Sequence, residues 1–123
     1  MNKLIENINL FCKLANENHY KVDMSNVANI LDMYNDEDVK DKEKMDYVIL
    51  PLSDIRTRPI WSKEKLSIVK NKIQSGVPLE PITLVRSKNE KPPYNINDGV
   101  HRTEASRQLG MTHIPALLLT YLE

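Results

Sequence analysis

Near its C-terminus the chain reads Asn97-Asp98-Gly99-Val100-His101-Arg102, followed by Thr103-Glu104-Ala105-Ser106-Arg107-Gln108-Leu109-Gly110. It predicts a strand that enters a tight turn, and then a helix whose first turn carries a histidine and an arginine. The first turn of a helix exposes unpaired backbone N–H groups and a partial positive charge. A glycine in the turn allows the backbone to approach a ligand closely. This stretch therefore predicts an anion or phosphate site at the start of the helix.

The composition of the whole chain sets limits on its class. With 123 residues, 17 Lys and Arg, and 17 Asp and Glu, the chain has the length of one domain and no net charge. It therefore lacks the overall basic character of a non-specific nucleic-acid binder. The single cysteine, Cys12, cannot form an internal disulfide, which fits a reducing, cytoplasmic location. We expect neither a signal peptide nor a membrane span, because no run of about 20 apolar residues occurs.

Residues 1–46 are predicted to form a helical extension and a charged linker. Apolar residues at helical spacing predict an amphipathic helix over residues 2–17 and a shorter one over 25–34, with Ser25 as its N-cap. The polar run 35–46 is interpreted as a solvated connector. A helix-turn-helix that reads DNA is the less favoured interpretation, because the second helix contains no lysine or arginine. A helical cap packed on the main domain is favoured.

Residues 47–123 are predicted to form the main domain. Helices and strands alternate along this part of the chain, which indicates a mixed α/β or α+β fold. The predicted strands cover residues 47–52, 82–85, 94–96 and 114–121, with the second and third paired as a hairpin. The predicted helices cover residues 62–74, capped by Ser62, and about 100–109, closed by Gly110.

The second half of the chain resembles the ParB/sulfiredoxin superfamily over roughly residues 47–120. The matching motifs come in order: Leu50-Pro51-Leu52-Ser53-Asp54-Ile55, Arg56-Thr57-Arg58-Pro59, Glu80-Pro81-Ile82, and Asp98-Gly99-Val100-His101-Arg102 with Ala105, Gly110 and Ile114-Pro115. The resemblance implies a small α+β domain with a mixed sheet and packed helices. It also implies that nucleotide phosphates bind at the start of the last helix.

Members of this superfamily differ in activity, so the fold alone does not assign a function. Sulfiredoxins use ATP and a cysteine placed immediately before the histidine, whereas this chain has Val100 there. Partition proteins bind and hydrolyse CTP and continue into DNA-binding and dimerisation domains, whereas this chain ends at Glu123. Its Asp-Gly-x-His-Arg form looks closer to the stand-alone members, which include kinases of free serine. Other relatives have been described as nucleases.

The resemblance and the residue types together predict a set of site residues. The predicted cleft is formed by the loop 56–61, the helix 62–74 and the turn 97–102. We expect His101 to be catalytic and the nucleotide to be held by Gly99, Val100, His101, Arg102, Arg56, Arg58, Lys63 and Ser67. Asp98 has two open interpretations: a structural cap of the turn, or a Mg²⁺ ligand and catalytic base. Trp61 is interpreted as a core or cap residue, with base stacking as the alternative.

These residues favour a nucleotide-binding domain that takes ATP, ADP or CTP with Mg²⁺, and that acts as a nucleotide hydrolase or a phosphotransferase. A second hypothesis is a DNA-associated regulatory or partition-like accessory protein, whose N-terminal helices bind a protein partner or DNA. A third is a ParB-like nuclease. The sequence does not identify the nucleobase or the substrate that would accept a phosphoryl group.

Overall fold

The structure is a computed structural model, and it describes residues 18–35, 43–87 and 89–121. Within these ranges the chain forms a four-stranded sheet and three α-helices. The helices are α1 (Val27–Tyr34), α2 (Lys63–Gln74) and α3 (Val100–Gln108), and the strands are β1 (Glu43–Pro51), β2 (Ile82–Arg86), β3 (Tyr94–Asp98) and β4 (His113–Tyr121). None of the described helices is both long and apolar enough to cross a membrane.

The strands lie in the order β1-β4-β2-β3. The last strand, β4, pairs antiparallel with β1 on one side and parallel with β2 on the other, and β2 pairs antiparallel with β3. The predicted α+β class and the predicted β2–β3 hairpin are therefore confirmed. In this order the carboxyl end of β3 leads directly into α3, which places the Asp98-to-Arg102 motif at the edge of the sheet.

The side chains of β4 alternate between two hydrophobic cores. Ile114, Ala116 and Leu118 belong to a core that also contains Val100 of α3, whereas Leu117 and Leu119 belong to a core with Val27 of α1. A strand that is buried on both faces has this nearly continuous apolar sequence. The sheet is therefore covered by α1 on one face and by α2 and α3 on the other, and α2 and α3 contact each other through Leu66, Val69 and Ala105.

Two predicted boundaries were wrong. β1 starts at Glu43 rather than residue 47, because its polar first residues pair with the end of β4 and bury Met45. Long-range pairing of this kind overrides a polar local composition. The first described helix starts at Val27, and its N-cap is Asn26 rather than Ser25. The backbone N–H of Ser25 instead donates to the Asp23 carboxylate.

Other predictions concern the N-terminal part of the chain. The helix expected over residues 2–17 lies outside the described residues, and the boundary after residue 46 stays a prediction. By contrast, Ser62 caps α2 as predicted, since its hydroxyl accepts a hydrogen bond from the N–H of Lys65 at 3.1 Å. This cap fixes where α2 begins, beside the first turn of α3.

Candidate functional site

Gly99 forms the turn between β3 and α3, and no other residue type fits there. Its φ of +116° lies in the left-handed region that favours glycine. A Cβ at this position would collide with Cγ2 of Ile82 and would lie 2.7 Å from its Cβ. The glycine therefore serves both the backbone conformation and the close contact between the start of α3 and β2.

A small cleft lies at the start of α3. Its volume is about 100 Å³, and it is lined by Trp61, Lys65, Val69, Lys72, Leu79, and the run Asp98 to Arg102. The first intrahelical bond of α3 goes from the N–H of Thr103 to the carbonyl of Gly99, and the cap residue supplies no side-chain acceptor. The N–H groups that precede Thr103 thus have no acceptor from the helix itself. The cleft combines these donors with two lysine side chains.

His101 is buried, with 3% of its surface exposed, and it connects α3 to α2. Its Nε2 accepts a hydrogen bond from the backbone N–H of Ser62 at 3.3 Å. Its ring meets the indole of Trp61 edge to face, with centroids 4.4 Å apart. Burial lowers the pKa of His101, and the nearby ammonium group of Lys65 lowers it further. The neutral ring is favoured, with its proton on Nδ1, because Nε2 acts as the acceptor.

Arg102 joins α3 to the loop before β2. Its guanidinium donates to the carbonyls of Glu80 at 2.6 Å and Pro81 at 3.0 Å, and to the Asp98 carboxylate at 3.3 Å. The arginine side chain is 16% exposed, whereas that of Asp98 is 75% exposed. These bonds use three of the five N–H donors of the guanidinium, and the Tyr20 hydroxyl lies beside the same group. Arg102 therefore holds α3 to the loop before β2 and brings a positive charge to the cleft.

The segment before α1 holds the same loop in place. The hydroxyl of Tyr20 donates to the carbonyl of Glu80 at 2.5 Å, and burial raises the pKa of this phenol. The backbone of Leu79 exchanges hydrogen bonds with Lys21 and Asp23, at 2.9 Å and 2.8 Å. The loop that carries the two carbonyl acceptors of Arg102 is thus fixed from both sides. No sequence motif identified Tyr20 as part of this arrangement.

The predicted site residues do not all lie together. Asp98, Gly99, Val100, His101 and Arg102 line the cleft. The remaining four, Arg56, Arg58, Lys63 and Ser67, do not line it.

The two loop arginines contact β3 and its neighbours instead. Arg56 donates from Nε to the amide oxygen of Asn95 at 3.1 Å and pairs with Glu90 at 3.0 Å. It lines a separate cavity of about 710 Å³, which it shares with Arg107. Arg58 donates to the carbonyl of Ile96 at 2.8 Å. The loop 56–61 thus reaches the cleft through Trp61 rather than through its arginines.

Helix α2 turns different residues toward the cleft than the sequence predicted. Lys63 and Ser67 line another pocket with Lys70, which α2 forms with Gln108 and Leu109 at the end of α3. Lys65 and Lys72 line the cleft, and neither was among the predicted residues. The spacing of Lys65 and Lys72 in the sequence could have identified them together. Seven residues place both lysines on one helix face, with the buried Val69 between them, and that face packs against α3.

Asp98 provides the exposed carboxylate at the cleft. Among the residues that the structure describes, no three histidine, cysteine, aspartate or glutamate side chains come together as a protein-only metal site would require. Mg²⁺ is commonly held by one or two carboxylates together with substrate phosphates. Asp98 therefore fits a Mg²⁺ ion that substrate phosphates also hold, but not a metal site built from protein ligands alone.

A comparison with protein-family models matches the ParB N-terminal domain to residues 33–121. The chain belongs to the ParB N-terminal domain family. The matched range includes all of β1 to β4 and both helices that border the cleft. A comparison with curated protein sequences finds no match.

Solved structures share the fold of this ParB-family chain. The chromosome-partitioning protein ParB from Caulobacter crescentus, complexed with CTP-γ-S, is 22% identical with a TM-score of 0.51. A free serine kinase in complex with AMP is 26% identical, also at 0.51. Each alignment covers 59% of this chain, but only 43% of the ParB and 30% of the kinase. Sulfiredoxin from Arabidopsis thaliana is 25% identical at 0.49, over 59% of this chain and 83% of that one.

Proposed function

We propose that the cleft at the start of α3 binds the phosphate group of a nucleotide. The observation that carries this proposal is Gly99, whose missing side chain lets α3 begin against Ile82 with its first N–H groups at the cleft. A helix start of this kind attracts anions through its N–H donors and its dipole. The similarity to the serine kinase in complex with AMP supports a nucleotide as the source of that anion.

The charged side chains around the cleft add to the effect of the helix. Lys65 and Lys72 bring two ammonium groups to one rim, and Arg102 adds the charge of its guanidinium, which its bonds to Glu80, Pro81 and Asp98 hold in place. A cleft of about 100 Å³ accommodates a phosphate but not a whole nucleotide, since sites for drug-sized ligands span about 300–1,000 Å³. The nucleoside must therefore extend beyond the cleft.

The chemistry that this arrangement supports is phosphoryl transfer or nucleotide hydrolysis. Catalysis of this class depends mainly on positioning and on stabilisation of charge. Asp98 would hold Mg²⁺ together with phosphate oxygens, and the metal would neutralise the phosphate charge. His101 contributes by holding α3 against α2, because its Nε2 is engaged by the N–H of Ser62. A proton transfer by this histidine would have to use Nδ1.

Nucleotide binding is tested by thermal unfolding with ATP, ADP and CTP in the presence of Mg²⁺. A nucleotide present at 100 times its dissociation constant stabilises the fold by about 2.7 kcal/mol. We expect the Lys65→Met/Lys72→Met double variant to lose about tenfold in affinity, since exposed charge pairs contribute up to about 1 kcal/mol each. Lys70→Met is the matched control, because Lys70 lies on the same helix but donates to Gln108 away from the cleft. If no nucleotide raises the unfolding temperature, the proposal is wrong.

The DNA-associated and nuclease hypotheses remain weaker proposals. α1 carries no lysine or arginine along Val27–Tyr34, so this helix offers nothing to pair with DNA phosphates. Fluorescence anisotropy with a labelled duplex at several salt concentrations tests the first hypothesis. Cleavage of plasmid DNA, compared between the wild type and His101→Gln, tests the second.

A further inference from the structure

Trp61 is the single tryptophan of the chain, and the structure places it at the surface. It is 69% exposed, which makes it the most exposed of the large hydrophobic side chains described. The interpretation of Trp61 as a core or cap residue was therefore wrong. An indole left in water forgoes a large gain from burial, so its position at the cleft needs an explanation.

The exposed indole is nevertheless held in place. Its ring meets the buried ring of His101 at an angle of 89°, and Nζ of Lys65 lies 5.5 Å from its centroid. The next residue, Ser62, is fixed by its bond to His101 and by its role as the cap of α2. A side chain that is exposed and also pre-oriented loses little conformational freedom when it binds a ligand.

We infer that Trp61 is the stacking platform for the nucleobase, an inference that rests on the proposed phosphate site. The cleft takes only the phosphate, so the nucleoside must cross its rim. Two aromatic rings line the cleft, those of Trp61 and His101. The His101 ring is buried, so Trp61 is the lining residue that offers an exposed aromatic face. Every base has a π-face, so such a platform accepts several bases, with the larger purines gaining more contact than pyrimidines.

The test compares a ligand with a base to one without, using the full chain. ADP and inorganic pyrophosphate are titrated in the presence of Mg²⁺. Because Trp61 is the only indole, its fluorescence reports on this position alone. We expect ADP to change the emission, and pyrophosphate to bind with a much smaller change. By calorimetry, Trp61→Leu is expected to weaken ADP binding about tenfold and to leave pyrophosphate binding unchanged.

Two further variants make the result specific. Trp61→Phe retains an aromatic face and is expected to keep most of the ADP affinity. Ile68→Ala removes an exposed apolar side chain that lies on α2 and outside the cleft, and it is expected to leave the binding of ADP and pyrophosphate unchanged.

The outcomes separate this inference from the proposed function. Equal ADP affinity in the wild type and Trp61→Leu overturns the platform but leaves the phosphate site in place. An equal loss for ADP and pyrophosphate also overturns it, because Trp61 would then act on the shape of the cleft. If neither ligand binds the wild type, the platform and the phosphate site are both wrong.

Discussion

The two ends of α3 both carry a glycine with a positive φ, yet they differ in almost every other respect. At the start, Gly99 is buried against Ile82, and the next two residues, Val100 and His101, are 4% and 3% exposed. At the end, Gly110 has a φ of +79° and is exposed, and a Cβ added there would meet no atom within 4 Å beyond its chain neighbours. Gly99 is therefore required both by its positive φ and by its contact with Ile82, whereas Gly110 is required only by its positive φ.

The arginines at the two ends show the same contrast. Arg102 donates to two backbone carbonyls and a carboxylate, whereas Arg107 makes one long pair with Glu104 at 3.5 Å. The cavity near Arg107 is also the larger, at about 710 Å³ against about 100 Å³. Cavity size alone would thus favour the end of α3 rather than its start. The small cleft is the better candidate because its donors are held in place by the fold.

The largest expected difference between the two ends is for alanine substitution of the glycines. Gly99→Ala combines left-handed strain of about 1–2 kcal/mol with overpacking of about 1–3 kcal/mol against Ile82. We expect it to reduce the free energy of unfolding by about 2–5 kcal/mol. Gly110→Ala meets only the backbone strain and should cost about 1–2 kcal/mol. Urea unfolding of both variants measures the difference.

A double variant tests the steric part of this explanation. Ile82→Ala removes Cγ2, the nearest of the Ile82 atoms that an added Cβ would strike, and keeps the Cβ. The loss in Gly99→Ala/Ile82→Ala should therefore be smaller than the sum of the two single losses. Strict additivity would show that the clash with Cγ2 adds nothing to the cost of Gly99→Ala, and the contrast between the helix ends would lose this part of its physical basis.

The next effect in size concerns the two arginines. Arg102→Met removes charged donors from the carbonyls of Glu80 and Pro81, where hydrogen bonds to charged groups contribute about 1.5–3 kcal/mol. We expect a loss of about 2 kcal/mol in unfolding free energy, together with weaker nucleotide binding. Arg107→Met at the other end should cost less than about 1 kcal/mol, because it removes a single partly exposed pair at 3.5 Å. Thermal unfolding, with and without ADP, measures both effects.

An Arg102→Lys variant separates charge from shape. Lysine keeps the positive charge but lacks the planar fork that reaches two carbonyls and a carboxylate together. Stability close to that of Arg102→Met is therefore expected. If lysine restored full stability, the charge alone would matter and the bonds to the loop before β2 would be incidental.

The fold was predictable from the sequence where local signals are strong. Ser62 before an amphipathic run marked the start of α2, and the Asp98-Gly99 turn marked the start of α3. The first residues of β1 were not predictable in this way. Glu43 to Asp46 are mostly polar, and they form a strand only because β4 supplies partners far along the chain.

The site was predictable only in part, for a similar reason. Residues 98–102 are contiguous, so one motif identified all five of them. The residues that α2 contributes depend on its position along α3: Lys65 and Lys72 lie beside the start of α3, whereas Lys63 and Ser67 lie beside its end. Trp61 was interpreted as a core or cap residue because tryptophan is usually well buried. Its exposure is a property of the assembled cleft that no local pattern encodes.

The smallest predicted effect is a pH dependence that arises from His101 at the start of α3. Burial holds the pKa of His101 below its ordinary value of 6.5, so the unfolded chain binds this proton more readily than the folded one. The neutral His101 ring therefore makes its full contribution to the free energy of unfolding above about pH 6.5. That contribution is lost progressively as the pH falls toward the pKa of His101 in the folded state. Urea unfolding of the wild type between about pH 8 and pH 5 measures this slope.

A histidine variant assigns that slope to the start of the helix. His101→Gln keeps an acceptor for the N–H of Ser62 but cannot titrate, so the loss of stability below about pH 6.5 should shrink. If His101→Gln kept the full wild-type slope, the buried histidine would carry no protonation penalty, and burial of its ring between α2 and α3 would not disfavour the charged form.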